Sequence, residues 1–196
     1  MIIIGHRGAR GLAPENTLAS LRKAIEYEVD WIEIDARVTD QSIPVLCHGS
    51  KIGDDSTTLG ECLSEINGKI PLLIEVKPRV DIQPIVQLLK GYHYEFLLGS
   101  KSQKTLLQLH SAMPKVPKIV IEPWSGIRAA YRARQLNTKF IEMNQLFLWF
   151  GFIANMKKRG YKLYAYTLNH PEKAKKWAKH GLAGIVTDYP DRFTKP

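Results

Sequence analysis

Residues 2–35 read IIIGHRGARGLAPENTLASLRKAIEYEVDWIEID and contain two strand patterns with a helix pattern between them. Ile2–Gly5 and Trp31–Asp35 are short and apolar, as is typical of buried strands. Between them, Thr17–Glu28 repeats apolar residues at helical spacing. A strand, a helix and a second strand in this order predict a βαβ unit with parallel strands.

The same alternation continues along the rest of the chain, with eight strand patterns in total. Eight such units predict an α/β fold, a (β/α)8 TIM barrel, that spans residues 1–196 as a single domain. The other strands are predicted at Leu72–Val76, Glu95–Leu98, Lys118–Ile121, Phe140–Met143, Lys162–Tyr166 and Gly184–Thr187. The other helices are predicted at Leu59–Ile66, Asp81–Leu89, Lys104–Ala112, Ser125–Gln135, Phe150–Lys158 and Glu172–Lys179.

The segment 37–68 is the one departure from strict alternation. Ile43–Cys47 has the pattern of a short extra strand, and no crossover helix is predicted before Leu59. The chain has 196 residues, close to the lower limit for such barrels, so the barrel is expected to be compact and without long insertions.

The composition, with 44% hydrophobic and 24% charged residues, is typical of a globular domain. No segment is long and apolar enough to span a bilayer, and Met1–Ile4 is too short for a signal peptide. Cys47 and Cys62 do not form a disulfide framework, which together with the missing signal predicts a cytoplasmic location. The net charge of +9 is spread out, and without a basic helix or aromatic-basic motif we expect no nucleic-acid partner.

Charged residues interrupt two apolar strands near their carboxyl ends. Glu33 and Asp35 are two positions apart, as are Glu75 and Lys77, so the members of each pair share one face of a strand. A charged side chain buried inside a barrel raises the free energy of the folded state unless it is paired or binds a ligand. Buried ion pairs without a metal are one interpretation. Because three carboxylates converge at the end of the barrel that carries active sites, a hard cation such as Mg²⁺ or Ca²⁺ is favoured.

Two histidines flank this acidic cluster in the predicted fold. His6 and Arg7 follow the first strand, and His48 follows the extra strand. A histidine transfers protons near neutral pH, and an arginine binds phosphate through two donors. The pattern indicates acid–base chemistry on an anionic substrate.

The motifs, taken in order, resemble the glycerophosphodiester phosphodiesterase family over nearly the whole chain. They are His6-Arg7-Gly8-Ala9, Ala13-Pro14-Glu15-Asn16-Thr17, Glu33-Ile34-Asp35, Thr39-Asp40, Pro44-Val45, His48, Glu75-Val76-Lys77, Thr167-Leu168-Asn169 and Gly184-Ile185-Val186-Thr187-Asp188-Tyr189-Pro190.

The resemblance implies a barrel that hydrolyses small glycerophosphodiesters to glycerol 3-phosphate and an alcohol. It implies His6 and His48 as the catalytic acid–base pair, and Arg7 and Lys77 as phosphate-binding residues. The metal ligands it implies, for a divalent Mg²⁺ or Ca²⁺, are Glu33, Asp35 and Glu75.

Three positions depart from the family pattern. Gly49 follows His48 where the family usually has Asp, and Tyr166 stands where Trp is common. The insertion after the second strand, Ser50–Ile70, is much shorter than usual.

Other features of the sequence suggest two alternative functions, hydrolysis of lysophospholipids and ligand binding without turnover. The apolar run Leu146–Phe152 follows the sixth barrel strand and is expected to pack between a helix and the barrel. Its other interpretation is a transient lipid contact, which would suit a phosphodiesterase that acts on lysophospholipids. The changes at Gly49 and Ser50–Ile70 instead allow a barrel that binds phosphorylated ligands without turnover. The sequence indicates no oligomeric state.

Overall fold

The computed structural model describes residues 1–194; Lys195 and Pro196, the last two residues of the predicted domain, lie outside them. Eight parallel strands form a closed barrel in the order β1-β9-β8-β7-β6-β5-β4-β2, and pairing of β1 with β2 closes it. Strand β3 is antiparallel to the end of β2. The strands are β1 (Ile2–Gly5), β2 (Trp31–Val38), β3 (Pro44–Leu46), β4 (Leu72–Val76), β5 (Phe96–Ser100), β6 (Lys118–Glu122), β7 (Phe140–Asn144), β8 (Lys162–Tyr166) and β9 (Gly184–Thr187).

Helices on the outside connect the barrel strands. They are α1 (Leu18–Glu26), α2 (Leu59–Ile66), α3 (Gln83–Lys90), α4 (Gln103–Ala112), α5 (Gly126–Gln135), α6 (Phe150–Lys158) and α7 (Pro171–Lys179). Side-chain hydroxyls cap the first turns of four of them, which fixes where each helix begins. The capping residues are Thr17, Thr58, Ser102 and Ser125.

Alternation along the strands divides the core into two parts. A small cluster fills the inside of the barrel and includes Ile4, Leu73, Leu97, Tyr164 and Val186. A larger cluster lies between the barrel and the helices. Two positions beyond three of these residues, Ile4, Leu73 and Val186, the sequence has His6, Glu75 and Asp188. In these rows the apolar filling gives way to a polar layer toward the carboxyl ends of the strands.

The predicted (β/α)8 barrel is confirmed, and the extra strand and the helix Leu59–Ile66 are found where they were expected. The main difference is that β2 is longer than the predicted Trp31–Asp35. It continues to Val38 because its last residues pair with β3, a partner that only the fold supplies. Within residues 1–194 no helix combines the length and the apolar character needed to cross a membrane.

Candidate active site

Three carboxylates meet inside the barrel near the carboxyl ends of β2 and β4. Glu33 and Asp35 lie on β2, and Asp35 is directly opposite Glu75 of β4. One oxygen from each of the three lies within 4.8 Å of the others, and all three residues are buried. The structure therefore brings together the three predicted metal ligands.

Burial raises the pKa of both carboxylates on β2, and their neighbours decide the net direction of each shift. Burial, followed by the charges of Asp35 and Glu75, raises the pKa of Glu33 well above its usual value. Burial would also raise the pKa of Asp35. However, hydrogen bonding to His48 and the nearby ammonium of Lys77 outweigh it and hold that pKa well below its usual range. The cluster thus lacks positive charge at its Glu33 side.

The cationic partners leave part of the cluster unsatisfied. Lys77 contacts Asp35, and its Nζ lies 2.9 Å from Glu75 Oε1. Among the described residues no Lys or Arg side chain pairs with Glu33. Glu75 Oε1 is buried without a hydrogen bond of acceptable geometry. Three converging hard oxygens with incomplete partners fit a divalent cation such as Mg²⁺ or Ca²⁺.

His6 is held by the last strand of the barrel. Its backbone N–H donates to Thr187 O, and its ring Nδ1 lies 2.6 Å from Asp188 Oδ1. The other ring nitrogen, Nε2, is 4.0 Å from Glu33 Oε2. Burial lowers the pKa of His6, and the hydrogen bond with Asp188 opposes that shift without cancelling it. This arrangement aims Nε2 at the acidic cluster.

His48 stands on the other side of the cluster and is more exposed, with 39% of its side chain accessible. Its Nδ1 lies 3.1 Å from both Asp35 Oδ2 and Lys77 Nζ. When Nδ1 carries a proton it donates to Asp35, and when it does not it accepts from Lys77. Both states keep the ring in place and leave Nε2 without a partner from this pair of residues. Asp35 and Lys77 therefore orient the ring, although Gly49 stands where the family usually has a carboxylate.

The first loop presents Arg7 from a constrained backbone. Arg7 has a positive φ of 52°, and its N–H donates to Glu33 Oε2 at 2.9 Å. Its guanidinium donates to Glu15 Oε2 at 2.7 Å and lies 3.1 Å from Asp35 Oδ2. Asn16 donates to Asp35 and accepts a bond from its backbone, while Thr17 caps α1. Arg7 and Lys77, which the sequence predicts as phosphate-binding residues, thus lie beside the carboxylates.

The sequence comparison decides the family. The glycerophosphoryl diester phosphodiesterase family matches residues 6–68 and 81–192. The chain belongs to this family.

Its similarity to individual members extends over the full length. The Bacillus subtilis protein YhdW is 30% identical, with 100% of this chain and 97% of the relative covered. A glycerophosphodiester phosphodiesterase of Caldanaerobacter subterraneus is 25% identical over 97% of this chain and 95% of its own. Among solved structures, an Oleispira antarctica phosphodiesterase in complex with the product sn-glycerol-3-phosphate has a TM-score of 0.91 at 25% identity, covering 98% of this chain and 94% of that one. The predicted family and its enzyme class, a phosphoric diester hydrolase, are confirmed.

The sequence motifs assign no role to several polar residues that the structure places around the site. Asp188 belongs to the last motif and directly follows β9. Lys101 follows β5, and its Nζ lies 3.4 Å from Glu75 Oε1. Glu142 is fully buried in β7, where burial and then the charge of Glu75 raise its pKa to about 8. An ionisable residue within or just after an apolar strand was the available signal for all three.

The expectation that Leu146–Phe152 packs against the barrel is wrong for part of the run. Leu148 is buried, but Leu146 is 78% exposed and Trp149 63% exposed. The cause is the connection after β7, where a 3-10 turn at Gln145–Phe147 precedes α6 and turns these side chains outward.

Proposed function

We propose that the protein hydrolyses glycerophosphodiesters to glycerol 3-phosphate and an alcohol in a reaction that depends on a divalent cation. The observation that carries the proposal is the cluster of Glu33, Asp35 and Glu75, within 4.8 Å of one another and placed between His6 and His48. Membership of the family and the likeness to a phosphodiesterase whose structure was solved in complex with the product sn-glycerol-3-phosphate support the same substrate class.

Glu33, Asp35 and Glu75 are the residues that would hold Mg²⁺ or Ca²⁺. The bound cation supplies neutralisation of the phosphate and stabilisation of charge on its oxygens. Asn16 contributes by holding the carboxylate and the backbone of Asp35 in place. Ligands that are themselves hydrogen-bonded keep their geometry better than free carboxylates do.

His6 is suited to take the proton from the attacking oxygen, which belongs to water or to a substrate hydroxyl. Its Nδ1 is engaged by Asp188, so Nε2 is the nitrogen available to accept the proton. The imidazolium that forms is stabilised by the carboxylate of Asp188, as in other histidine–aspartate pairs.

His48 is suited to protonate the departing alkoxide. It is more exposed than His6, so an alcohol released beside it would have direct access to solvent. When Nε2 gives its proton to the alkoxide, Nδ1 keeps its own proton and continues to donate to Asp35, so the ring stays in place. Arg7 and Lys77 are proposed to bind the phosphate, since both side chains lie beside Asp35 at the carboxyl end of the barrel.

The test is release of glycerol 3-phosphate from a panel of glycerophosphodiesters with Mg²⁺, Ca²⁺ or EDTA. We expect turnover with one of the cations, no turnover in EDTA, and none from a Glu75→Gln variant. Glu65→Gln is the matched control, because Glu65 pairs with Arg22 on the outer surface. Full activity in EDTA, or an active Glu75→Gln variant, would overturn the metal-dependent reaction.

A second candidate substrate is a lysophospholipid. The exposed Leu146 and Trp149 favour it, because they offer apolar contacts next to the site. Including a lysophospholipid in the same panel tests it, and the absence of turnover would remove this candidate. A role in lipid metabolism, a cytoplasmic location and a single domain over residues 1–196 stay predictions.

A further inference from the structure

Large apolar side chains are exposed together on two neighbouring loops. Trp124 lies between β6 and α5, and Ile127 lies in the first turn of α5. The segment that joins β7 to α6 contributes Leu146, Phe147 and Trp149. We call these five residues the aromatic rim. Ile127 is 87% exposed, Leu146 78%, and the two tryptophans 63% each. Contiguous apolar surface of this kind on a soluble domain marks an interaction site.

The aromatic rim is packed rather than loose. The rings of Trp124 and Phe147 meet edge to face at 5.5 Å, and Trp149 contacts Phe152 at 5.2 Å. A groove of about 750 Å³ separates the two loops and continues between α5 and α6 to Arg159. The side chains are thus presented in a fixed arrangement, which lowers the entropy lost on binding.

The rim lies at the same end of the barrel as the proposed catalytic residues. Both of its loops follow the carboxyl ends of parallel strands, as His6 does. A short chain of contacts also connects them. Gln145, next to Leu146, donates to Thr167 O at 2.5 Å, and Thr167 Oγ1 is 3.5 Å from His6 Nδ1. A surface bound by the rim therefore faces the mouth of the site.

The charge around the rim is positive. Arg128, with 54% of its side chain exposed, follows Ile127 on α5, and Lys173 Nζ donates to Gln145 Oε1 at 2.7 Å, next to Leu146. Arg159 lines the groove, and Lys176 Nζ lies 4.9 Å from the ring of Phe150 at the start of α6. The exposed carboxylate of Glu172 at the start of α7 pairs with Lys175 at 2.8 Å, so basic side chains are in excess near the rim.

We propose that the aromatic rim docks on the surface of an anionic phospholipid bilayer. Tryptophan is the residue preferred at the boundary between headgroups and acyl chains, and basic residues beside it are attracted to anionic lipids. Docking of a second copy of this chain is less favourable, because each copy carries a net charge of +9. Binding of the rim to a membrane is a property separate from the proposed hydrolysis, and it can be measured without turnover.

The test is co-sedimentation of the intact protein with vesicles of phosphatidylcholine alone and with added phosphatidylglycerol. We expect binding to the anionic vesicles that weakens as NaCl is raised, with a blue shift of tryptophan fluorescence. The double variant Trp124→Ser/Ile127→Ser should bind at least about tenfold more weakly, because it removes two exposed rim side chains that have no part in the proposed reaction. Leu107→Ser is the matched control, since Leu107 is a 45% exposed leucine on α4, outside the rim.

Vesicle binding and hydrolysis are measured independently, so the failure of one proposal can be told from the failure of the other. Release of glycerol 3-phosphate from a water-soluble substrate should be the same in the double variant as in the wild type, whatever the vesicles show. No binding to anionic vesicles, or equal binding by the double variant, would overturn the proposal. A concentration-dependent dimer in sedimentation that the double variant loses would also overturn it, since the rim would then be a contact between copies of the chain.

Discussion

His6 and Asp188 are 182 residues apart in the sequence, and a hydrogen bond of 2.6 Å joins His6 Nδ1 to Asp188 Oδ1. The contact exists because β9 pairs with β1, so that the first and last strands end side by side. Asn169 donates to the other oxygen of Asp188 at 2.9 Å and thereby fixes the carboxylate. The ring of His6 is oriented by the closure of the barrel.

Replacement of His6 by alanine should lower turnover by roughly 10²–10⁴, the usual contribution of a general acid or base. The side chain lies in the polar layer and is not part of the apolar cluster inside the barrel, so the fold should be kept. The measurement is turnover of the best panel substrate, with circular dichroism to check folding. The exposed His93→Ala variant is the control. Turnover near that of the wild type in a folded His6→Ala protein would remove His6 from the mechanism.

Asp188→Asn should reduce turnover less, by roughly 10–100-fold, the scale known for groups that orient a functional histidine. The hydrogen bond with Asp188 raises the pKa of His6, so its loss should lower that pKa further. Titration of the ring by NMR measures this shift directly. The limb of the pH–rate profile that belongs to His6 should move to lower pH with it. An unchanged ring pKa would show that Asp188 does not act through His6.

Glu142 gives a prediction about stability. Burial raises its pKa to about 8 from 4.5, so the folded protein keeps a proton that the unfolded chain releases between these pH values. Because the folded state binds more protons in this window, stability should fall as pH rises from 5 to 8, by at most about 1.4 kcal/mol per pH unit. Glu142→Gln removes this dependence.

The measurement is urea unfolding of both proteins at pH 5, 6.5 and 8 in EDTA, which keeps cations away from the neighbouring carboxylates. Glu142 Oε2 has no partner within the described chain, so a buried glutamine costs a constant amount at every pH. The slope against pH is therefore the informative quantity. The exposed variant Glu172→Gln should keep the wild-type slope, and a Glu142→Gln slope equal to it would refute the burial argument.

The sequence predicted the barrel because strand and helix periodicity is local. Phe140–Met143 and Phe150–Lys158 needed only their own residues to be recognised, and their observed bounds differ by one residue at most. The cluster of Glu33, Asp35 and Glu75 could also be predicted, since pairs at i and i+2 share a face and parallel strands end together.

Other contacts could not be predicted because they depend on register and closure. Nothing near Asp188 indicates that it faces His6, and only the pairing of β9 with β1 brings them together. The positions of Trp124 and Leu146 depend on how two loops leave the barrel. Glu142 differs from these cases, because a carboxylate within the apolar strand Phe140–Met143 was the same signal that identified Glu33 and Glu75.

The two cysteines should differ strongly in reactivity. Cys62 is fully buried in α2, and burial raises the pKa of its thiol to about 12. Cys47 is partly exposed beside His48. A thiol reagent at pH 8 should modify one cysteine quickly and the second at least ~10³-fold more slowly, since the thiolate is the reactive form. Cys47→Ala should abolish the fast phase and leave the slow one. Two fast thiols in the wild type would contradict the burial of Cys62.

The short segment Ser50–Ile70 leads to the last prediction, which concerns the leaving alcohol. Its first part folds back on β3, where Leu46 N–H donates to Thr57 O, and its second part forms α2. It borders an open depression of about 370 Å³ next to His48, so few side chains are available to contact the alcohol. Binding energy from the non-reacting part of a substrate normally helps to lower the barrier. We therefore expect kcat/KM to differ by about tenfold or less among choline, ethanolamine and glycerol head groups, which is about 1.4 kcal/mol.

The side chain of Lys51 lines the depression, and Lys51→Ala should change the three values by similar factors. A strong preference for one head group, lost selectively in Lys51→Ala, would mean that the short segment forms a selective pocket.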